Sequence, residues 1–193
     1  MGKGDETRIA VLDEAVEIAR RVGLGGLTIG TLAEQTQLSK SGLFAHFKSK
    51  ETLQIQVLEH ARARFEEVVA RPTLRAPRGE PRVRALFDLW LAWDMEPGGC
   101  PFIAASSELD DRPGPVREMF VRDQRDSNDM VATIFRTGIS EGHFRANADP
   151  DQFVQDFCGV MLAAHQRVHL FGDAEAPSRA RRAFERLLAD ARA

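Results

Sequence analysis

The chain of 193 residues contains no tyrosine at all, so its 12 phenylalanines supply most of its aromatic bulk without a hydroxyl, and no phenol can meet a phosphate or act as an acid. Cysteine is nearly as scarce. Cys100 and Cys158 stand far apart and in no metal-ligand spacing, which excludes a disulfide scaffold and a cysteine-rich zinc module and fits a reducing, cytoplasmic setting. No stretch approaches the roughly 18 apolar residues of a membrane span, so no membrane partner is expected. The opening MGKGDETRIAVL lacks the apolar core of a secretion signal, and MGKGDE lacks the Ser/Thr of a myristoylation signal. An excess of positive charge is missing too. With 26 Lys+Arg against 29 Asp+Glu the net charge is -3, so any surface for a polyanion must be local. Internal repeats, low-complexity tracts and the sustained alternation of a half-buried strand are likewise absent from the sequence.

What is present is helix. Hydrophobic residues make up 43% of the chain, enough for a real core. In TRIAVLDEAVEIARRVG, the residues Ile9, Leu12, Val16 and Ala19 recur three or four apart on one face, and Gly23, Gly25 and Gly26 then stop the helix. Thr28 is placed to cap a second helix with Ile29, Leu32 and Ala33 inward. Ser39 is placed to cap a third, short helix carrying Leu43, Phe44 and Phe47. Ser49 opens a longer fourth, with Leu53, Val57, Ala61, Phe65 and Val68 inward. The stretch RPTLRAPRGEPR, Arg71 to Arg82, reads as a linker or loop. Four more helical runs follow: about Arg82 to Met95, a long run from Pro115 to about Glu141, one from Asp149 to Gly172, and one from about Ser178 to Ala191. The third of these has a strong start signal: Asp149 as cap, Pro150 at the first helical position and Gln152 where a capping box wants Glu or Gln.

The second and third helices, split by TQLSK, form a helix-turn-helix pattern. Such a motif lays its second helix in the major groove, N-terminal residues foremost. Leu43 and Phe47 are placed to anchor that helix from behind, leaving Lys40, Ser41, His46, Lys48 and Lys50 for a polyanion. Lysine attracts phosphate whatever the sequence; Ser41 and Lys40 are placed to read base edges. Gly42 lets the backbone approach the duplex. Lys50 starts the next helix, where free N–H groups already favour an anion. A capped surface helix with solvated lysines has the same composition.

Residues about 8 to 55 resemble the N-terminal domain of the tetracycline-repressor (TetR) family. The likeness rests on Ile9 to Ala19 with the glycines that follow, and on LTIGTLAEQTQLSKSGLFAHFKSKETL, in which apolar, basic and capping positions fall in register. The C-terminal PGGCPF, DDRPGPVRE and HLFGD are similar to one subgroup of these regulators. The resemblance implies an all-α homodimer: an N-terminal three-helix helix-turn-helix domain, residues 1–50, joined by the helix from Ser49 to a helical ligand-binding and dimerisation domain, residues 51–193. It implies a double-stranded operator as partner, a small-molecule effector and no cofactor. Thr28 and Ser39 join the DNA-binding set on the same ground. Two positions depart from the family pattern. Phe44 stands where tyrosine is usual, so a hydroxyl contact to phosphate is lost. Gln37 stands where the turn usually has glycine, so a left-handed backbone there would be strained.

Other residues suggest further chemistry. Large apolar residues from the C-terminal runs, Trp90, Trp93, Phe102, Met119, Phe120, Phe157 and Met161, read first as core and second as the lining of an effector pocket. His165, Asn128 or Ser106 would hold the effector's polar groups. Phe153, Ala164, Val168, Phe184, Leu187 and Leu188 lie on helices that are apolar over a wide arc and are expected to meet a second copy. His165 and His169, four apart, face one way and would hold zinc if a third ligand joined them. No HExxH pattern or cysteine pair supports one, so no metal is expected. Cys100 follows two glycines and reads as a small buried hydrophobe rather than a redox thiol. The sequence therefore points to a ligand-responsive transcriptional repressor and not an enzyme. The alternatives are a small helical metal-dependent enzyme using His165 and His169, or a DNA-binding regulator that senses no ligand.

Overall fold

The computed structural model describes residues 3–192, with side chains from Thr7 onward. Among these residues the chain is helical, with one isolated antiparallel bridge between Phe144 and Arg192. It divides into two compact units, Met1–Arg64 with Pro97–Val121, and Phe65–Glu96 with Arg122–Ala193. The first compact unit extends past residue 50 and takes in a second, distant segment of chain.

The first unit holds α1 (Lys3–Gly26), α2 (Ile29–Thr36), α3 (Lys40–Phe47), nearly all of α4 (Lys50–Phe65), α7 (Pro101–Leu109) and the first turns of α8 (Pro115–Ser140). Helix α1 is interrupted at Gly23, whose φ of 77° and ψ of 164° lie outside the helical region. Its buried stripe is Val11, Leu12, Ala15, Val16, Ile18 and Ala19. Ile9, expected inward, is 40% exposed, because the core closes one turn later at Val11 and Leu12. Leu32, Leu43, Phe47, Leu53, Val57 and Leu58 join that stripe, together with Ala105, Leu109, Val116 and Phe120 from the second segment. Each fully buried Leu or Phe contributes about 1.5–3 kcal/mol. Cys100 is buried at the N-cap of α7, as a small hydrophobe would be. Arg20 is buried as well; its guanidinium donates to the Gly99 carbonyl at 2.5 Å, tying α1 to the glycine turn ahead of α7.

The second unit holds α5 (Arg71–Arg75), α6 (Glu80–Asp94), most of α8, α9 (Pro150–His165) and α10 (Ala176–Ala191). The expected loop over Arg71 to Arg82 is mostly helix. A π-helical segment, Glu66–Ala70, carries α4 into α5, and only the stretch between Arg75 and Glu80 is irregular. Pro72 lies in the first turn of α5, just past the π segment. Val68, expected inward, is 42% exposed. The neighbouring residue Val69 is the one buried there, because the π segment shifts the inward face.

Aromatic rings dominate this core. Phe87 stacks on Phe184 at 4.0 Å and meets the edge of Phe157 at 6.0 Å. Phe135 lies between Phe144, at 4.7 Å, and Phe153, at 4.1 Å. Gly138 is required by that packing: a Cβ there would lie 2.2 Å from the Phe144 ring. Asp149 caps α9 as expected, accepting from the N–H groups of Asp151 and Gln152. The Gln152 side chain does not close a capping box; it donates to Asp156 at 3.0 Å.

Candidate nucleic-acid interface

The helix-turn-helix is built from local hydrogen bonds. The Thr28 hydroxyl accepts from the Thr31 N–H at 3.0 Å while the Thr31 hydroxyl accepts from the Thr28 N–H at 2.9 Å, a reciprocal cap for α2. Gln37 then takes φ 56° and ψ 19°, a left-handed conformation that a glycine would adopt without strain. Ser39 caps α3 by accepting from the Gly42 N–H at 3.1 Å, and its hydroxyl also meets that of Ser41 at 3.2 Å. Gly42 has a local role here that sequence reasoning missed, since a Cβ would press to 3.1 Å against the capping oxygen of Ser39. Lys48 also has positive φ, 60°, and ends α3. Ser49 then accepts from the Thr52 N–H at 3.1 Å to start α4.

Leu43 and Phe47 are completely buried, and every other residue from Gln37 to Lys50 is exposed. That surface carries Lys40, Lys48, Lys50, His46 and the hydroxyls of Ser39 and Ser41, with no acidic side chain between Glu34 and Glu51. Phe44 is 57% exposed, an aromatic ring held in water among cations. Its neighbours suit phosphate, and its ring suits a sugar or a thymine methyl. Thr28 is half-buried with its hydroxyl engaged in the cap, so of the nine expected contact residues it presents least.

Lys50 has a partner of its own: its ammonium donates to the Gly25 carbonyl at 2.6 Å. Gln54, one turn on, donates to the Leu24 carbonyl at 2.7 Å. From the other side the Glu108 carboxylate, on α7, accepts from the Leu24 N–H at 2.9 Å and the Gly25 N–H at 2.6 Å. The N–H and C=O groups of both residues are thus held by side chains from α4 and α7. This clamp fixes the connection between α1 and α2. Glycine is needed beside it, because a Cβ at Gly23 would fall 2.4 Å from a Glu108 oxygen and one at Gly25 would fall 2.9 Å from the other. SSELDD gave no signal for it, since Glu108 is 83 residues away from Gly25 in the chain.

The remaining expected residues separate. Phe102, Met119 and Phe120 belong to the first unit, Trp90, Trp93, Asn128, Phe157, Met161 and His165 to the second. Trp93, Phe157 and Met161 are buried, and Trp90 packs against Phe65 at 5.0 Å and Phe157 at 5.7 Å. The indole N–H of Trp90 is buried and meets no acceptor among the described residues. Asn128 is exposed, 3.8 Å from the Cys158 sulfur, whose thiol pKa burial pushes up. Ser106 is occupied, donating to the Ile103 carbonyl at 2.7 Å.

Of the six residues expected at the contact with a second copy, Phe153, Phe184 and Leu188 are buried in their own chain, Phe184 by stacking on Phe87, while Ala164 is buried but lines the groove between α9 and α10. Val168 and Leu187 remain partly exposed. The surface that α9 and α10 do offer is a groove of about 480 Å³ that includes Gly159, Val160, Ala163, Ala183 and Leu187.

Residues 11–57 match the family model described as bacterial regulatory proteins, tetR family, and residues 79–184 match that of the tetracyclin repressor-like C-terminal domain. No curated protein matches the sequence. Among solved structures, a TetR transcriptional regulator from Chloroflexus aurantiacus J-10-FL is 26% identical, with a TM-score of 0.84 over 98% of this chain and 96% of that one. A putative transcriptional regulator from Saccharomonospora viridis in complex with choline is 20% identical, with a TM-score of 0.78 over 96% of each chain. AibR in complex with isovaleryl coenzyme A and operator DNA is 19% identical, with a TM-score of 0.72 over 92% of this chain and 94% of that one.

Proposed function

The chain belongs to the tetR family of bacterial regulatory proteins, and from that premise we propose that it is a dimeric, effector-released transcriptional repressor rather than an enzyme. The observation that carries the reading is the exposed face of α3 and its flanks, where lysines, serines and Phe44 point outward with no acidic residue among them. Helix α3 lies in the major groove. Lys48 and Lys50 hold phosphates, Lys40 and Ser41 meet base edges, and Phe44 replaces a phenol hydroxyl with apolar contact. The Lys50 ammonium has three donors, so its bond to Gly25 leaves it free to hold a phosphate as well.

The operator is a near-palindrome because two copies of the chain bind it, each reading one half-site. The copies meet through the α9–α10 groove, which Leu187 lines, and through the exposed Leu162, which is 55% accessible, together with the partly exposed Val168. A Leu162→Glu substitution puts a charge into that contact and should leave a folded monomer with weak operator binding. A duplex pool of random sequence, selected on the purified protein, tests the whole reading. It should yield a two-fold symmetric site bound with a steep salt dependence. Recovery of sequences without symmetry, bound equally well by the Leu162→Glu variant, would refute the dimer.

The effector enters the second unit at Trp90, Trp93, Phe157, Met161 and His165, on the expectation that the unsatisfied Trp90 N–H marks an acceptor on the ligand. Choline and isovaleryl coenzyme A, the molecules held by two similar structures, are chemically unlike, so the fold alone does not select the effector. Met161→Trp fills this region; operator binding should survive while the response to effector falls.

A further inference from the structure

We propose that Asp94, His165 and His169 form a binding site for a divalent transition-metal ion, with Zn²⁺ as its simplest occupant. The sequence supplied only the histidine pair. The fold supplies the third ligand by bringing the last residue of α6 to the end of α9, and one ligand-type atom from each of the three lies within 4.8 Å of the others. Two imidazoles and one carboxylate are a set that zinc and other first-row divalent ions accept, with the remaining positions open to water.

Three further features make this more than a chance cluster. First, the carboxylate is already held in place: Asp94 is fully buried, with Oδ1 2.7 Å from His165 Nδ1. Second, the histidines straddle a change of helix type. The backbone passes from α-helix to a π-helical segment, Gln166–Leu170, and the ring centroids stand 4.7 Å apart at 45°. Single π turns inside helices recur at functional sites. Third, the site has both a fixed floor and an open side. His169 meets the Asp94 carbonyl through Nε2 at 2.7 Å, yet it is exposed, which gives an ion an entry path.

Without metal the cluster is held by hydrogen bonds. Ligands on a tetrahedral ion with bonds of about 2.0–2.1 Å stand roughly 3.3 Å apart. Binding therefore opens the His165–Asp94 contact by about 0.6 Å and draws His169 in. The ion takes the place of the proton between Nδ1 and Oδ1; in a neutral imidazole that proton exchanges through solvent to Nε2, leaving the ring neutral with Nδ1 as the ligand. The occupied site would cross-link the C-terminal end of α6 to that of α9.

The test uses the full chain, stripped with chelator and titrated with ZnCl₂ by calorimetry, and separately with Co²⁺ to read the visible absorption of a tetrahedral site. The wild type should bind one equivalent and melt at a higher temperature with zinc than without. His169→Gln, whose exposed imidazole can be lost without disturbing the core, should weaken binding by at least about 10-fold, as should His165→Gln. DNA binding measured in chelator should not change in His169→Gln, which separates this site from the operator reading. No stoichiometric zinc in the wild type, or unchanged affinity in a correctly folded His169→Gln, would overturn the assignment.

Discussion

Replacing Glu108 with alanine removes the one side chain that satisfies two consecutive backbone N–H groups at the α1–α2 connection, at 2.9 and 2.6 Å. A hydrogen bond to a charged acceptor contributes about 1.5–3 kcal/mol, and the partly buried site argues for the lower end, so the two together are worth about 3 kcal/mol. Water can reach part of the vacated site, which reduces the loss further, to about 2–3 kcal/mol. For a chain of this length that lowers Tm by roughly 4–12 °C. Glutamine is the discriminating control. It keeps one acceptor oxygen but places an NH₂ against the second N–H, so it should destabilise by an intermediate amount. Urea melts of the three proteins should show Cm falling in the order wild type, Gln, Ala, with m unchanged. The same variants should bind a selected operator more weakly in the same order. The clamp holds the connection from which α2, and the α3 packed against it, take their position. A Glu108→Ala protein within about 0.5 kcal/mol of wild type, with unaltered operator affinity, would show that water replaces the carboxylate without loss and would refute the clamp.

Gln37→Gly should raise Tm by about 1–4 °C, because relief of roughly 1–2 kcal/mol of left-handed strain outweighs about 0.5–1 kcal/mol of added chain entropy; a lower Tm would mean that Gln37 makes compensating contacts. Lys50→Ala should weaken binding to every duplex alike and reduce the slope of log K against log salt by about 0.9; an unchanged slope would mean that Lys50 only braces Gly25. Glu80 contributes to the acid sensitivity of the second unit, beside Glu185 and Asp173, whose carboxyl groups are also held below their ordinary range. Hydrogen bonds from Arg192, and then Arg84, hold its pKa at about 2, well below the ordinary 4.5. A depressed folded-state pKa gives stability that is present above the unfolded value and lost as pH falls from about 4.5 toward 2. Glu80→Gln should lower stability near neutrality and flatten its loss across that window, as measured by urea melts at stepped pH; parallel curves for the two proteins would sink the assignment.

Local chemistry along the chain was enough to specify most of the helices, though not the one over Arg71–Arg75, and the exposed basic face of α3. Thr28, Ser39, Ser49 and Asp149 announce helix starts because a hydroxyl or carboxylate reaches only two or three residues along its own backbone. The exposure of Lys40, Ser41, Phe44 and His46 follows from the burial of Leu43 and Phe47 on a helix of eight residues, and the positive φ of Gln37 from the turn it must complete. The register of long-range packing could not be read in that way. Phe184 and Leu188 belong to a stripe that would serve a partner as well as a core; only the place of Phe87, 97 positions earlier in the chain, turns Phe184 inward. Likewise Glu108 is one carboxylate in an acidic stretch until α7 packs beside α1, and Asp94 is a helix-end charge until α9 brings His165 and His169 to it. Side-chain identity and short-range hydrogen bonding set what each helix is. Which apolar faces close on one another, and which distant polar groups they carry within 3 Å, is decided by the competition among all faces for the same core, and that competition is resolved only in three dimensions.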